Sequence, residues 1–159
     1  MEIKENRIIE PLPSKELVDL NEEYLNVKFP SSFREFIMKY NGGVPKTNLF
    51  KYNNHVYVID RFLCMLEKSS SHKYGEYDIN AVCTMLDARL IYDEDLIGYE
   101  LVPIAVLFAG NFLVLNFHEN AEEPTICIWS SEESANLKPK VYEVSKSFEE
   151  FLTSLYSND

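Results

Sequence analysis

The stretch KFPSSFREFIMKYNGGVP, from Lys28 to Pro45, constrains the fold more than any other part of this chain. Pro30 suits a first helical turn because its φ is already fixed near the helical value, and Ser32 with Glu35 three residues on has the form of a capping box. Phe33, Phe36, Ile37 and Tyr40 then recur at i, i+3, i+4 and i+7, which gives one wide aromatic face that demands burial. Asn41-Gly42-Gly43 ends the helix, since glycine enters the left-handed region without a Cβ penalty, and Pro45 prevents the helix from resuming.

Upstream, Ser14 is positioned to cap a helix over Ser14 to Leu25, with Leu17, Leu20 and Tyr24 on its apolar face. Downstream, the period changes to two. NLFKY and HVYVI flank Asn53-Asn54, a pair tolerant of positive φ, and predict a hairpin. The Ser-rich run EKSSSHKYGEY is a loop. Asp78 caps a helix carrying Ile79, Val82, Cys83 and Leu86 at helical spacing. LVPIAVLF and FLVLNF, joined by Ala109-Gly110-Asn111, form a second hairpin whose strands are apolar throughout and belong at the centre of a sheet. TICIW and VYEV are further strands. Ser147 with Glu150 repeats the capping box before Phe148, Phe151, Leu152 and Leu155, so the chain closes on a helix that must dock. Strands gathered in the middle and bracketed by helices, with no βαβ alternation, predict an α+β fold: one domain over residues 1–159, built on a mostly antiparallel sheet.

Composition limits function. With 46% hydrophobic residues in 159, the chain can build one buried core. The most apolar stretch is interrupted by Pro103, Ala109, Gly110 and Asn111, short of the roughly 20 residues a bilayer span needs. The charged N-terminus lacks the apolar core of a secretory signal, so the expected location is cytoplasmic. Cys64, Cys83 and Cys127 are widely spaced, and His55, His72 and His118 stand apart, so buried free thiols are expected in place of a metal site. No cofactor is expected either.

The net charge is −11, and it is uneven: residues 1–80 hold eleven Lys/Arg against twelve Asp/Glu, residues 81–159 four against fourteen. Such a field repels nucleic acid and anionic membranes and attracts a cationic protein. It also simply keeps a protein dissolved. No GxSxG or GxxxxGK[ST] occurs, and Gly42-Gly43 follows a helix where a phosphate cradle would open one. Asp93-Glu94-Asp95 lacks the spacing of a calcium loop. The chain is therefore not expected to be an enzyme.

The segment LNVKFPSSFREFIMKYNGG resembles the N-terminal signature of the SUKH superfamily. LVPIAVLFAGNFLVLNF is similar to that family's central hairpin, and SFEEFLTSLY to its closing helix. The three lie in the family's order across nearly the whole chain. Asn26 departs from a common glycine, the LFAGN turn is poorer in glycine, and Leu66 to Glu100 has no counterpart. The resemblance implies a non-catalytic binding protein. Bacterial members are typically immunity proteins against polymorphic toxins, often nucleases, and the eukaryotic branch includes the yeast cell-wall assembly regulator, a signalling scaffold.

On this reading the partner is a cognate, basic toxin domain. The candidate contact surface is an acidic face made of Asp93, Glu94, Asp95, Glu119, Glu122, Glu123, Glu132 and Glu133, with Tyr92, Tyr99 and Trp129 beside it as anchors. Trp129 has a competing role as a core anchor of the sheet.

Overall fold

The computed structural model describes residues 1–158. In chain order they form β1 (Ile3–Lys4), α1 (Lys15–Leu25), α2 (Ser31–Tyr40), β2 (Val44–Pro45), β3 (Leu49–Tyr52), β4 (His55–Val58), β5 (Arg61–Phe62), α3 (Ile79–Leu86), β6 (Leu101–Val106), β7 (Phe112–Asn116), β8 (Thr125–Trp129), β9 (Val141–Ser145) and α4 (Phe148–Ser154). The main sheet is antiparallel with the order β5-β6-β7-β8-β9. The fold is α+β. The central hairpin is β6–β7, and its side chains are buried on both faces, as apolar strands without alternation require. Pro103 fits inside β6 because the Glu100–Phe117 pair is hydrogen-bonded, which by alternation makes Pro103–Val114 a non-bonded pair that needs no N–H toward β7.

Three helix starts follow their expected caps. Ser14 accepts from Leu17 N, Asp78 from Ala81 N and Ser147 from Glu150 N. The fourth does not. At α2 the Ser32–Glu35 box is absent, and the amides of Phe33 and Arg34 bond the carbonyl of Pro30 instead. The entry is held from α1: Glu22 accepts the Phe29 amide at 2.6 Å, and Arg34 reaches back to both Glu22 and Asp19. A carboxylate from a neighbouring helix replaces the local box.

The buried face of α1 also differs from expectation. Val18, Asn21 and Leu25 point into the core, while Leu20 and Tyr24 are 60% and 57% exposed. The two triads share one spacing and differ by one residue, about 100° of helix rotation. A polar residue lies on the inner face because Asn21 is satisfied there: it donates to the Leu17 carbonyl at 2.9 Å and accepts from Asn80 of α3 at 2.8 Å.

The Asn53-Asn54 turn has both residues at positive φ, as its hairpin demands, and β3–β4 is a separate two-stranded sheet. All three cysteines are free and buried, and burial pushes the Cys64 thiol up to about 12. The aromatic face of α2 packs as predicted. The Phe36 ring lies 4.7 Å from Phe62 and 5.2 Å from Phe148, and Phe33 lies 5.3 Å from Phe148, so α2, the sheet edge and α4 share one aromatic layer.

The stop after α2 has a second job. Asn41 is fully enclosed: its Nδ2 donates to the Ile9 carbonyl at 3.0 Å and its Oδ1 accepts from Met65 N at 2.8 Å. Gly42, at φ +64°, leaves no room for a side chain, since a Cβ would sit 2.4 Å from Ile9 Cδ1. Asn41→Ala strands a buried amide and a buried carbonyl and is expected to lower unfolding free energy by about 2–4 kcal/mol in urea denaturation. In the same assay Gly42→Ala, which places an L side chain at positive φ, is expected to lose at least about 1–2 kcal/mol.

Candidate partner-binding surface

The acidic connection Asp93–Asp95 is held by long-range bonds. Gly98, at φ +98°, lies so close to the end of α1 that a Cβ would approach the Leu25 carbonyl to 2.2 Å, and Tyr99 N donates to that same carbonyl at 3.0 Å. Asn26 adopts the left-handed conformation at φ 57° and donates its Nδ2 to the Ile97 carbonyl. The departure from glycine at this position therefore adds a tether that glycine lacks.

The same connection meets the loop after β7. The Tyr92 ring stacks on His118 with centroids 4.1 Å apart, Tyr92 N donates to Glu100 Oε2 at 2.7 Å, and His118 Nδ1 lies 3.5 Å from that oxygen. Burial, aided by the nearby Glu100 and Glu119 carboxylates, raises the Tyr92 phenol above its ordinary range, so it stays neutral. Asp93 and Glu119, each adjacent in sequence to one member of this stack, come to the same end of the sheet. In the second loop Asn120 Oδ1 accepts the amides of Glu122 and Glu123, which shapes the turn around these exposed carboxylates.

Glu122 and Glu123 line a cleft of about 410 Å³ with Glu149 and Glu150 of α4, where Lys146 is the cation. Lys146 is already paired with Glu143 at 2.8 Å. Glu149 and Glu150 occupy the first turn of α4, a position that suits carboxylates near a helix N-terminus, which is why sequence reading attributes them to the helix alone. The end of the sheet formed by Leu101, Asn116 and Thr125 thus gathers Asp93, Glu94, Asp95, Glu119, Glu122 and Glu123, with Glu149 and Glu150 added.

Glu132 and Glu133 are elsewhere. They follow Trp129 at the opposite end of β8, and a five-residue strand at about 3.4 Å per residue puts about 14 Å between the loops at its two ends. The Glu133 carboxylate accepts from the Tyr142 hydroxyl at 2.7 Å, and Ser131 N donates to Asn111 Oδ1, which ties this loop to the β6–β7 turn. The expected single acidic face is therefore two separate groups.

The anchors are redistributed as well. Trp129 is fully buried, its Nε1 donating to the Arg89 carbonyl at 2.9 Å while the Arg89 guanidinium covers its ring, so it holds the sheet to the segment after α3 and offers no contact surface. Tyr99 is half-buried, and burial pushes its phenol up to about 12. The open apolar side chains beside the acidic end are instead Ile97, 81% exposed, and Tyr24 and Leu20 of α1. Sequence reading placed Tyr24 and Leu20 in the core through the one-residue shift of the α1 face, and it had no signal for Ile97.

Among the described residues no group of three or more His, Cys, Asp or Glu could hold a metal ion, and no helix is long and apolar enough to cross a membrane. Comparison with curated proteins returns no match. The family model described as SUKH_6, SMI1-KNR4 cell-wall, matches residues 15–152, from the first residue of α1 into α4. The proline-started helix, the Asn-Gly-Gly stop, the central hairpin and the first five residues of the closing helix lie inside that span, and the chain belongs to the SMI1-KNR4 family of the SUKH superfamily.

Proposed function

We propose that this protein is an immunity protein that acts by binding alone and neutralises a cognate toxin domain carrying a basic, nucleic-acid-binding cleft. The observation that carries this reading is the convergence of Asp93–Asp95, Glu119, Glu122 and Glu123 on one end of the sheet, next to exposed Ile97 and Tyr24. Carboxylates at a rim raise the rate of encounter with a cationic surface, and desolvated apolar or aromatic groups then hold the complex. Inhibition follows from covering the cleft, with no bond made or broken.

A second reading takes its support from the matched family's description as a cell-wall family: a regulatory scaffold whose partner is a signalling protein. If the neighbouring gene encodes an exported toxin, growth rescue on co-expression with it separates the two, since a scaffold would leave poisoned cells unprotected.

Association with that toxin is expected to slow steeply from about 20 to about 500 mM salt. Glu119→Lys, Glu122→Lys and Glu123→Lys together are expected to lower the association rate about ten-fold or more at low salt and to converge on the wild type at high salt. An association rate indifferent to salt would sink electrostatic steering. Ile97→Ala is expected to speed dissociation with little change in association. As a control, Trp129→Phe leaves the Arg89 carbonyl unpaired and should cost about 1–3 kcal/mol of stability without changing association.

A further inference from the structure

Arg61 is a buried cation without an anion. The residue is 5% exposed, yet it forms no ion pair among the described residues. A buried guanidinium ordinarily meets a carboxylate or a phosphate, because the desolvation of its charge is otherwise uncompensated. Asp78, the buried carboxylate that follows Tyr77, accepts the amides of Leu66 and Ala81 instead.

The guanidinium is held in one orientation. Nε donates to the Gly42 carbonyl at 3.0 Å and Nη2 to the Arg7 carbonyl at 2.9 Å, while the group lies 4.8 Å from the centre of the Tyr77 ring and 5.2 Å from that of Tyr74. These neutral partners fix its plane and leave its charge in place. Nη1 has no acceptor among the described residues. It is not sealed off, because the one enclosed side-chain nitrogen or oxygen without a partner among those residues is Asn80 Oδ1. Nη1 therefore keeps access to the cleft that Arg61 lines.

That cleft, of about 470 Å³, opens where β1, the turn Glu5–Arg7, β4 and β5 meet. Lys4, Arg7 and Arg61 reach it from three different elements, with Asn48 and Tyr77 on its walls. Lys4 and Arg7 are exposed and form no ion pair among the described residues. Asp60 is the one carboxylate in the lining, so three cations against one anion leave an excess of two positive charges. The chain as a whole carries −11, which repels anions at a distance, so a site here must act through contacts inside the cleft.

We infer that the cleft between Lys4, Arg7 and Arg61 is a binding site for a phosphate dianion, free or borne as a terminal monoester on a small molecule. A tetrahedral dianion matches the excess charge and accepts from several directions at once, whereas a carboxylate carries one charge and its acceptors lie in one plane. Arg61 Nη1 donates from the floor, Lys4 and Arg7 close from the rim, and the remaining space beside Tyr77 takes the organic part of an ester. A ligand held this way stabilises the folded state by mass action. The site lies at the end of β6 where Arg61 pairs with Val106, and it uses none of Asp93–Asp95, Glu119, Glu122 or Glu123.

The test is an NMR titration of the full chain at about pH 7.5, where phosphate is mainly a dianion, with inorganic phosphate and ribose 5-phosphate as probes and acetate and ribose as controls at matched ionic strength. The Arg61 Nε–H resonance should shift and saturate with both phosphates, at half-saturation of about 1 mM or less, and stay in place with acetate and ribose. Tighter binding of ribose 5-phosphate identifies an ester as the ligand, and tighter binding of inorganic phosphate the free ion. Lys4→Gln with Arg7→Gln keeps the Arg7 carbonyl bonded to Arg61, and should weaken binding about ten-fold or more with the melting temperature of the free protein unchanged. Asp60→Asn removes the opposing carboxylate and should tighten binding about three-fold. The proposal is overturned by the absence of a saturating Arg61 shift up to about 20 mM phosphate, by an equal response to acetate, or by phosphate binding undiminished in the Lys4/Arg7 variant.

Discussion

The rest of the molecule is hung on the three residues that follow α2. Asn41 joins the N-terminal segment to the chain at Met65 through one enclosed carboxamide, and its own carbonyl accepts the Ile9 amide at 2.7 Å. The Gly42 carbonyl takes Nε of Arg61, the Gly42 amide reaches the Leu63 carbonyl, and the Gly43 carbonyl takes the amide of Phe62. Three segments distant in sequence meet where there is no space for side chains, so the junction can be built only from a small amide and two glycines. Arg61 is buried there with carbonyl oxygens and the faces of Tyr74 and Tyr77 as its partners, an arrangement that suits a delocalised guanidinium better than a compact ammonium.

That junction aims the aromatic face of α2. With α2 pinned to the sheet edge, Phe33 and Phe36 meet Phe62 and Phe148, and Phe151 of α4 meets Phe50 of the β3–β4 hairpin at 5.3 Å. One continuous layer therefore joins the first third of the chain to its last helix. Edge-to-face contacts among rings have definite geometry, so the scaffold is stiff where it is aromatic and varied where it is loop. The connections at the two ends of the sheet carry their charge on exposed residues, while Leu90, Leu107 and Phe117 tie them to the core.

Charge is sorted accordingly. At one end the stacked Tyr92–His118 pair and the shared Glu100 carboxylate bring two acidic loops together, and α4 adds its first-turn glutamates. At the other end Glu132 and Glu133 sit near the exposed Phe108. Each end pairs negative charge with accessible apolar surface, and the proposed binding to a cationic protein rests on that combination.

Much of this fold is legible in the sequence because much of it is local. Ser14, Asp78 and Ser147 cap within three residues, Asn53-Asn54 turns within two, and the doubly apolar runs around Ala109-Gly110-Asn111 have nowhere to lie except mid-sheet. What only the tertiary structure decided involves partners far apart along the chain. Asn21 could face inward only once Asn80 was there to meet it, and that rotated Leu20 and Tyr24 out to solvent. Glu22 displaced the local cap of α2, the Arg89 carbonyl drew Trp129 inside, and the length of β8 set Glu132 and Glu133 apart from the other carboxylates. Sequence spacing encodes which residues share a helix face or a turn. Whether a polar side chain is buried, and which loops become neighbours, depends on hydrogen bonds and strand registers that do not exist until the chain has closed on itself.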